Sequence, residues 1–245
     1  MELTPQVTVA GLKFDLTIIL GTIIAAAIVF GLIYFATRKV SMVPRGLQAG
    51  IEILIDMIRG ITGMTYDNKR AEKFLAFSFT LFLFVLVANQ LGVILMITGE
   101  VHDPIPWLGI TEETLKEHHG AAHVAFLKSP TADIGFAFTM AISVALFANF
   151  VGIKNGIGSW LKPFMNPLHW IEEVSKPATH AMRLWANIFA GEVLITILMT
   201  KFPLYVTFVP VAVWIAFSLF VGIIQAYIFT VLANVYIGQK YAGGH

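Results

Sequence analysis

Hydrophobic and polar positions in this chain fall into long blocks rather than short alternations. Leu16 to Phe35 carries no charge over about twenty residues, enough for a helix to cross a hydrocarbon core of roughly 30 Å. Arg38-Lys39 end that run. From Val40 to Lys73 the pattern changes: Leu47, Ile51, Leu54, Ile55 and Ile58 recur at helical spacing, with Glu52, Asp56 and Arg59 between them. The segment 38–73 therefore predicts an amphipathic helix at the membrane interface or packed on other helices, either a solvated connector or a docking surface. Phe74 to Ile97 is a second span, rich in Phe, with the amide pair Asn89-Gln90 ahead of Gly92. Gly99 to Pro130 reads as a polar outer loop. Thr131 to Val151 is a third span, opened by Pro130-Thr131-Ala132-Asp133, a helix-start signal with Asp133 in the first turn and Asn149 near the far end. A Gly/Pro/Lys connector, Gly152 to Pro167, precedes two long helical patterns, Leu168 to Thr200 and Leu204 to Ile237, separated by Pro203. At 1.5 Å per residue each reaches about 50 Å, more than the hydrocarbon thickness, so both are expected to be strongly tilted or kinked. The expected fold class is an all-α integral membrane protein: five transmembrane spans plus an interfacial amphipathic helix, in a single membrane domain over 1–245 with the tail 239–245. No internal repeat relates its two halves.

Composition agrees with this and removes several chemistries. Hydrophobic residues make up 57% of the chain and charged ones 13%, with a mean hydropathy of +0.78, outside the range of soluble domains. There is no cysteine, which excludes disulfides, thiolate metal sites and a cysteine nucleophile. A net charge of +1 gives no reason to expect a nucleic-acid partner. His118, His119 and His123 have spacing that suits a metal on a helix, but nothing nearby completes a ligand set, so a solvated loop is the preferred reading and no metal or cofactor is expected. Lys13 and Asp15 flank a first apolar run too long for a signal-peptide core, so the first helix is expected to be retained. Of the 16 Lys and Arg residues, Lys13, Lys116, Lys128 and Lys201 fall on the N-terminal side, Arg183 lies within a span, and the rest fall on the opposite side. By the positive-inside rule, the N-terminus is outside and the C-terminus cytoplasmic.

One stretch does not fit a purely apolar interior: His180-Ala181-Met182-Arg183-Leu184-Trp185-Ala186-Asn187-Ile188-Phe189-Ala190-Gly191-Glu192. A charge at bilayer depth costs roughly 2.5–3.5 kcal/mol on insertion scales, and such residues face a bundle interior or aqueous cavity and handle ions. At about 100° per residue, Asn187, His180 and Glu172 lie within about 60° of Arg183, Glu173 lies about 80° away, and Glu192 points almost opposite. Along the axis Glu172 sits about 16 Å to one side of Arg183 and Glu192 about 13 Å to the other. Two carboxylates at different depths and azimuths around a fixed cation suit two aqueous routes that do not meet. On the last helix Ser218 and Gln225 share a face, with Gly222 between them. Blander readings stand beside these: a snorkelling arginine, interfacial charges at Glu192, Glu172 and Glu173, a packing histidine at His180, and interhelical hydrogen bonding at Ser218 and Gln225.

The run Arg183 to Glu192 resembles the arginine helix of subunit a of the F-type ATP synthase, the channel subunit of its membrane sector. Gln225-Ala226-Tyr227-Ile228-Phe229-Thr230-Val231-Leu232 resembles that family's last-helix signature, Pro130-Thr131-Ala132-Asp133 its third-span entry and Asn89-Gln90-Leu91-Gly92 its second-span motif. The similarity covers essentially the whole chain. It implies a stator subunit against a ring of c subunits, with peripheral-stalk b subunits and the rest of the ATP synthase as further partners, in a bacterial plasma membrane or an organelle. It implies an outer half-channel that protonates ring carboxylates and a cytoplasmic one that discharges them. Arg183 then separates the two, with Asn187 and Gln225 as its amide neighbours and Glu192 as the outer carboxylate. Ser218 stands where some members have a histidine, Gly135 where an asparagine is common, and the Glu172-Glu173 pair occurs in some members only. The other readings are a secondary ion-coupled transporter, which predicts a repeat and discontinuous helices, and a structural subunit, which has no use for an intramembrane Arg-Asn-Glu set.

Overall fold

Asp15 ends a β-strand and begins the first helix in one step: its carboxylate accepts the backbone N–H of Thr17 (2.9 Å) and of Ile18 (3.4 Å). Such a cap contributes about 1 kcal/mol. The computed structural model describes residues 4–9, 12–95, 97–101, 105, 122–201 and 203–242. Strands β1 (Gln6–Val9) and β2 (Leu12–Asp15) form an antiparallel hairpin ahead of helix α1 (Leu16–Thr37). Helices α2 (Leu47–Thr65) and α3 (Asn68–Ile94) follow, then a second hairpin, β3 (Ile97–Val101) and β4 (Ala122–Leu127). A 3-10 turn at Pro130–Ala132 leads into α4 (Ile134–Asn155); the short α5 (Ile157–Leu161) and a second 3-10 turn (Lys162–Met165) precede the two longest helices, α6 (Pro167–Lys201) and α7 (Leu204–Ala242).

Five of these helices, α1, α3, α4, α6 and α7, are long and apolar enough to cross a membrane, and α2 is the amphipathic sixth. The boundaries differ from the sequence pattern in four places. The stretch 38–73 is not one helix: Tyr66 is extended, the Asp67 carbonyl accepts Arg70 and Ala71 N–H, and residues 68–73 already belong to α3. The third span starts at Ile134 because Pro130 to Ala132 make their own turn, and the Asp133 carboxylate accepts Phe136 N–H at 2.8 Å as a cap. The connector 152–167 is largely helical. Two hairpins stand where a tail and a loop were expected; β3 and β4 pair across an intervening segment that gives no local pairing signal. His118 and His119 lie outside the described residues, and His123 is described only as backbone of β4.

Small residues let the helices approach closely. Ala137, Ala141, Val144, Ala145 and Ala148 form one buried stripe on α4. Ala137, Ala141 and Val144 share a core with Ile58 and Ile61 of α2, Leu81, Phe82 and Val85 of α3, Ala181 and Leu184 of α6, and Ala226, Phe229 and Ala233 of α7. Close approach of small side chains is how helices pack where no hydrophobic effect drives them together. Thus α2 joins the core through Ile58 and Ile61. Buried polar side chains tie α3 to α7: Ser78 Oγ donates to Asn234 Oδ1 (2.8 Å), Asn89 Nδ2 to the Gly222 carbonyl (3.1 Å), and Gln90 Nε2 to the Leu219 carbonyl (2.9 Å). Tyr66 at the start of that seam donates to the Asn234 carbonyl (2.9 Å). Large apolar side chains such as Ile23, Phe30 and Phe35 on α1 and Leu146 and Phe150 on α4 face outward, as hydrocarbon-facing helices require.

Candidate functional site

Arg183 lies at the middle of α6, about 24 Å from its first residue and about 27 Å from its last. The helix buries Ala181, Leu184 and Ile188 against its neighbours, which turns Arg183, Ala186, Asn187 and Ala190 to the outer surface of the bundle. Among the described residues the Arg183 guanidinium makes no hydrogen bond or ion pair within this chain. It borders a cavity of about 190 Å³, lined also by Lys176, His180, Tyr236 and Gln239 toward the C-terminal end of the bundle. One turn on, Asn187 Nδ2 donates to Gln225 Oε1 of α7 at 2.9 Å; Gln225 is buried and its Nε2 has no hydrogen-bond partner among the described residues. Asn187 borders a second cavity, of about 180 Å³, toward the N-terminal end, with Gly191, Trp214 and Ser218 in its lining. The two cavities share no lining residue. Trp214 Nε1 donates to the Gly191 carbonyl at 3.2 Å, and a Cβ at Gly191 would meet Ser218 Oγ at 3.2 Å, so Ser218 sits against the backbone beside Glu192.

Glu192 turns inward, away from the face that carries Arg183. It is buried, and its Oε1 accepts the backbone N–H of Ser129 at 3.1 Å. Ser129 Oγ is 2.7 Å from the Ala88 carbonyl and 2.6 Å from Thr131 Oγ1, which donates to Asn89 Oδ1 at 2.8 Å. Glu192, Ser129, Thr131 and Asn89 thus form a continuous buried polar chain linking α6, the turn before α4, and α3. Gly92 makes room for it. A Cβ there would overlap the Glu192 carboxylate and lie 2.6 Å from Ser129 Cβ.

The two carboxylates at the other end of α6 have different surroundings. Glu172 is exposed and ion-paired with Lys176 at 3.1 Å, while Lys176 also donates to Gln239 Oε1 of α7 at 3.1 Å. Glu173 is enclosed: Oε1 accepts from Asn149 Nδ2 (2.6 Å) and the Tyr236 hydroxyl (2.5 Å), and Oε2 faces Lys240 (2.6 Å) and His169 (3.7 Å). Trp160 Nε1 donates to Asn149 Oδ1 at 2.9 Å, and Lys240 lies over the Phe164 ring. One carboxylate therefore joins α4, the segment between α4 and α6, α6 itself and α7. His180 is buried, its ring packed on Phe229 and its Nε2 3.2 Å from the Phe229 carbonyl.

The structure places Arg183 one turn from the Asn187–Gln225 pair, puts Ser218 and Glu192 toward the turn that joins α6 to α7, and puts His180, Glu173 and Glu172 toward the opposite end, where α6 begins and α7 ends. Ser129, Lys240 and His169 were not singled out by the sequence pattern. Ser129 reaches Glu192 through its backbone N–H and Lys240 reaches Glu173 from another helix, neither of which spacing along one helix carries; His169, four residues before Glu173 on the same helix, is a pairing that spacing could have found. No group of three His, Asp or Glu suited to a metal occurs among the described residues.

Known proteins resemble this chain over nearly its whole length. Residues 19–238 match the family described as ATP synthase A chain. The ATP synthase subunit a of Alkalihalophilus pseudofirmus is 37% identical over 242 residues, covering 94% of this chain and 93% of that protein. That of Listeria monocytogenes is 35% identical, covering 98% of each, and that of Enterococcus hirae is 38% identical, covering 93% and 92%. With the match running through every helix of the site and nearly end to end, this chain belongs to the ATP synthase A chain family.

Proposed function

We infer that this chain is the ion-translocating stator subunit of a rotary F-type ATP synthase, with two offset half-channels that load and unload protons on the carboxylates of a c-subunit ring. It carries no ATP chemistry of its own; it couples transmembrane proton flow to ATP synthesis or hydrolysis elsewhere in the complex. The observation that carries this reading is Arg183: exposed at mid-helix, with no hydrogen bond or ion pair among the described residues, and lining one cavity while Asn187, one turn on, lines a second that shares no lining residue with it. A buried-depth cation left open on the bundle surface calls for an anionic partner from another subunit, because an isolated charge in hydrocarbon is costly.

In this mechanism a ring carboxylate arriving beside Arg183 is held in its ionised form by the adjacent positive charge and gives up its proton. The same charge opposes a proton passing straight from one cavity to the other. Glu192, Ser218, Gln225 and Asn187 form the outer path; His180, Glu173 and Glu172 form the cytoplasmic one. The α6 face of Arg183, Ala186, Asn187 and Ala190 meets the ring, small residues flanking the cation so that the ring helix approaches closely. The outward apolar faces of the other helices meet lipid and the peripheral-stalk b subunits. Each proton moving down 100 mV releases about 2.3 kcal/mol. The N-terminus lies outside and the C-terminus in the cytoplasm of a bacterial plasma membrane.

The experiment is ATP-driven proton pumping in membranes carrying Arg183→Ala. Pumping is expected to be abolished with the complex still assembled; normal coupled pumping would overturn the reading. Glu192→Gln is expected to slow pumping without dissociating the complex.

A further inference from the structure

Resting on the half-channel reading, the cavity bordered by Ser218 and Asn187 does not reach Gln225 itself, which leaves the α7 side of the outer path to be traced. Ser218 and Gln225 are seven residues apart on α7, about 10 Å along the axis. One water molecule joins groups only about 5–6 Å apart, two hydrogen bonds of about 2.8 Å. A proton moving from Ser218 to Gln225 along α7, rather than by way of Asn187, needs a polar station between them, at the level of Gly222.

Gln90 of α3 occupies that level. A Cβ at Gly222 would lie 3.1 Å from Gln90 Nε2 and 3.4 Å from Oε1, so the amide rests directly on the glycine backbone in space that any side chain would fill. Gln90 Nε2 donates to the Leu219 carbonyl at 2.9 Å, which fixes the amide and settles which atom is left over. That atom, Oε1, is buried and has no hydrogen-bond partner among the described residues. Ser218 Oγ and Gln225 Nε2 are likewise buried without a partner. Buried polar atoms are nearly always satisfied, and those without protein partners are the ones that ordered water binds. Three such atoms at the α3–α6–α7 junction, one at each end of the gap and one in its middle, define a line of hydrogen-bonding stations from beside Glu192 to the Asn187–Gln225 pair.

We propose that Gln90 is a further residue of the outer proton path, its Oε1 holding the water that carries the proton between Ser218 and Gln225. The side chain does not itself titrate; it positions water, as a fixed acceptor. A purely structural role is the grip of Nε2 on Leu219, and the two roles use different atoms.

The test uses the whole complex in vesicles, with two variants. Gln90→Met keeps the length of the side chain and removes both polar atoms; Gln90→Glu keeps Oε1 and loses the amide donor. Passive proton conduction, after removal of the soluble head, is read beside subunit stoichiometry. Gln90→Met is expected to conduct roughly tenfold more slowly in an assembled complex, the factor that corresponds to one net hydrogen bond, and Gln90→Glu to recover conduction near the wild-type rate. Wild-type conduction in Gln90→Met would overturn the assignment, as would an assembled Gln90→Glu complex as slow as Gln90→Met. Should Gln90→Met fail to assemble, Gln90→Glu decides alone: retained conduction supports the path, lost conduction in an intact complex sinks it. Glu192→Gln runs alongside. If it slows conduction while Gln90→Met does not, only the Gln90 assignment fails; if neither slows it, the half-channel reading fails as well.

Discussion

At Gly92 a hydrogen atom stands where a methyl group would collide with the Glu192 carboxylate and with Ser129 Cβ. Gly92→Ala is expected to push Glu192 off the Ser129 N–H and leave that donor buried and unpaired, at a cost of about 1–3 kcal/mol. The reading is a lowered thermal-aggregation midpoint of the purified complex together with slowed proton conduction; neither moving would mean that Glu192 relaxes freely. Tyr66 supplies a second residue-level expectation. Burial pushes its hydroxyl's pKa above the ordinary tyrosine value, and the protonated form makes the bond to the Asn234 carbonyl. The unfolded hydroxyl ionises first as pH rises, so this stabilisation is complete below about pH 10 and is eroded above it. Tyr66→Phe is expected to cost about 1 kcal/mol at neutral pH and to flatten the alkaline limb of the stability profile.

The C-terminal ends of α4 and α7 meet the N-terminal end of α6 through Glu173, Asn149, Tyr236 and Lys240, with side chains of Glu173 and Lys240 only 16% and 8% exposed. Breaking so enclosed a pair leaves an uncompensated charge, so Lys240→Met is expected to cost about 3 kcal/mol, and Lys240→Met with Glu173→Gln to recover most of it. Thermal midpoints of the four forms close the cycle; a loss in the double variant equal to the sum of the two single losses would show that the two side chains act independently. The cross-helix part of this cluster was not legible along the chain, because Asn149 is brought to Glu173 by α4, and Tyr236 and Lys240 by α7. By contrast, the spans themselves were legible. Apolar runs as long as Leu16 to Phe35 have one structural outlet in a bilayer, a helix closed on its own hydrogen bonds. The face of α6 was legible too, since Arg183 and Asn187 are one turn apart and helical geometry alone puts them side by side. What the chain did not disclose is depth of contact: that Glu192 reaches the Ser129 backbone, or that Asp133 is a cap and not a first-turn residue, follows from a turn at Pro130–Ala132 whose direction is set by packing.

For the molecule as a whole, orientation is directly measurable because the chain contains no cysteine. A single cysteine at Ser41, exposed between α1 and α2, is expected to react with an impermeant maleimide only in inside-out vesicles, and one at Ile97, exposed at the start of β3, only in right-side-out vesicles. The opposite pattern would invert the assignment of inlet and outlet. The outward-facing Arg183 has a last consequence, for biogenesis rather than transport. On the proposed reading, a solitary subunit would leave this guanidinium without an anionic partner at bilayer depth, at a penalty of about 3 kcal/mol that weights the unassembled state down by roughly a hundredfold, so docking of the partner would itself be favoured.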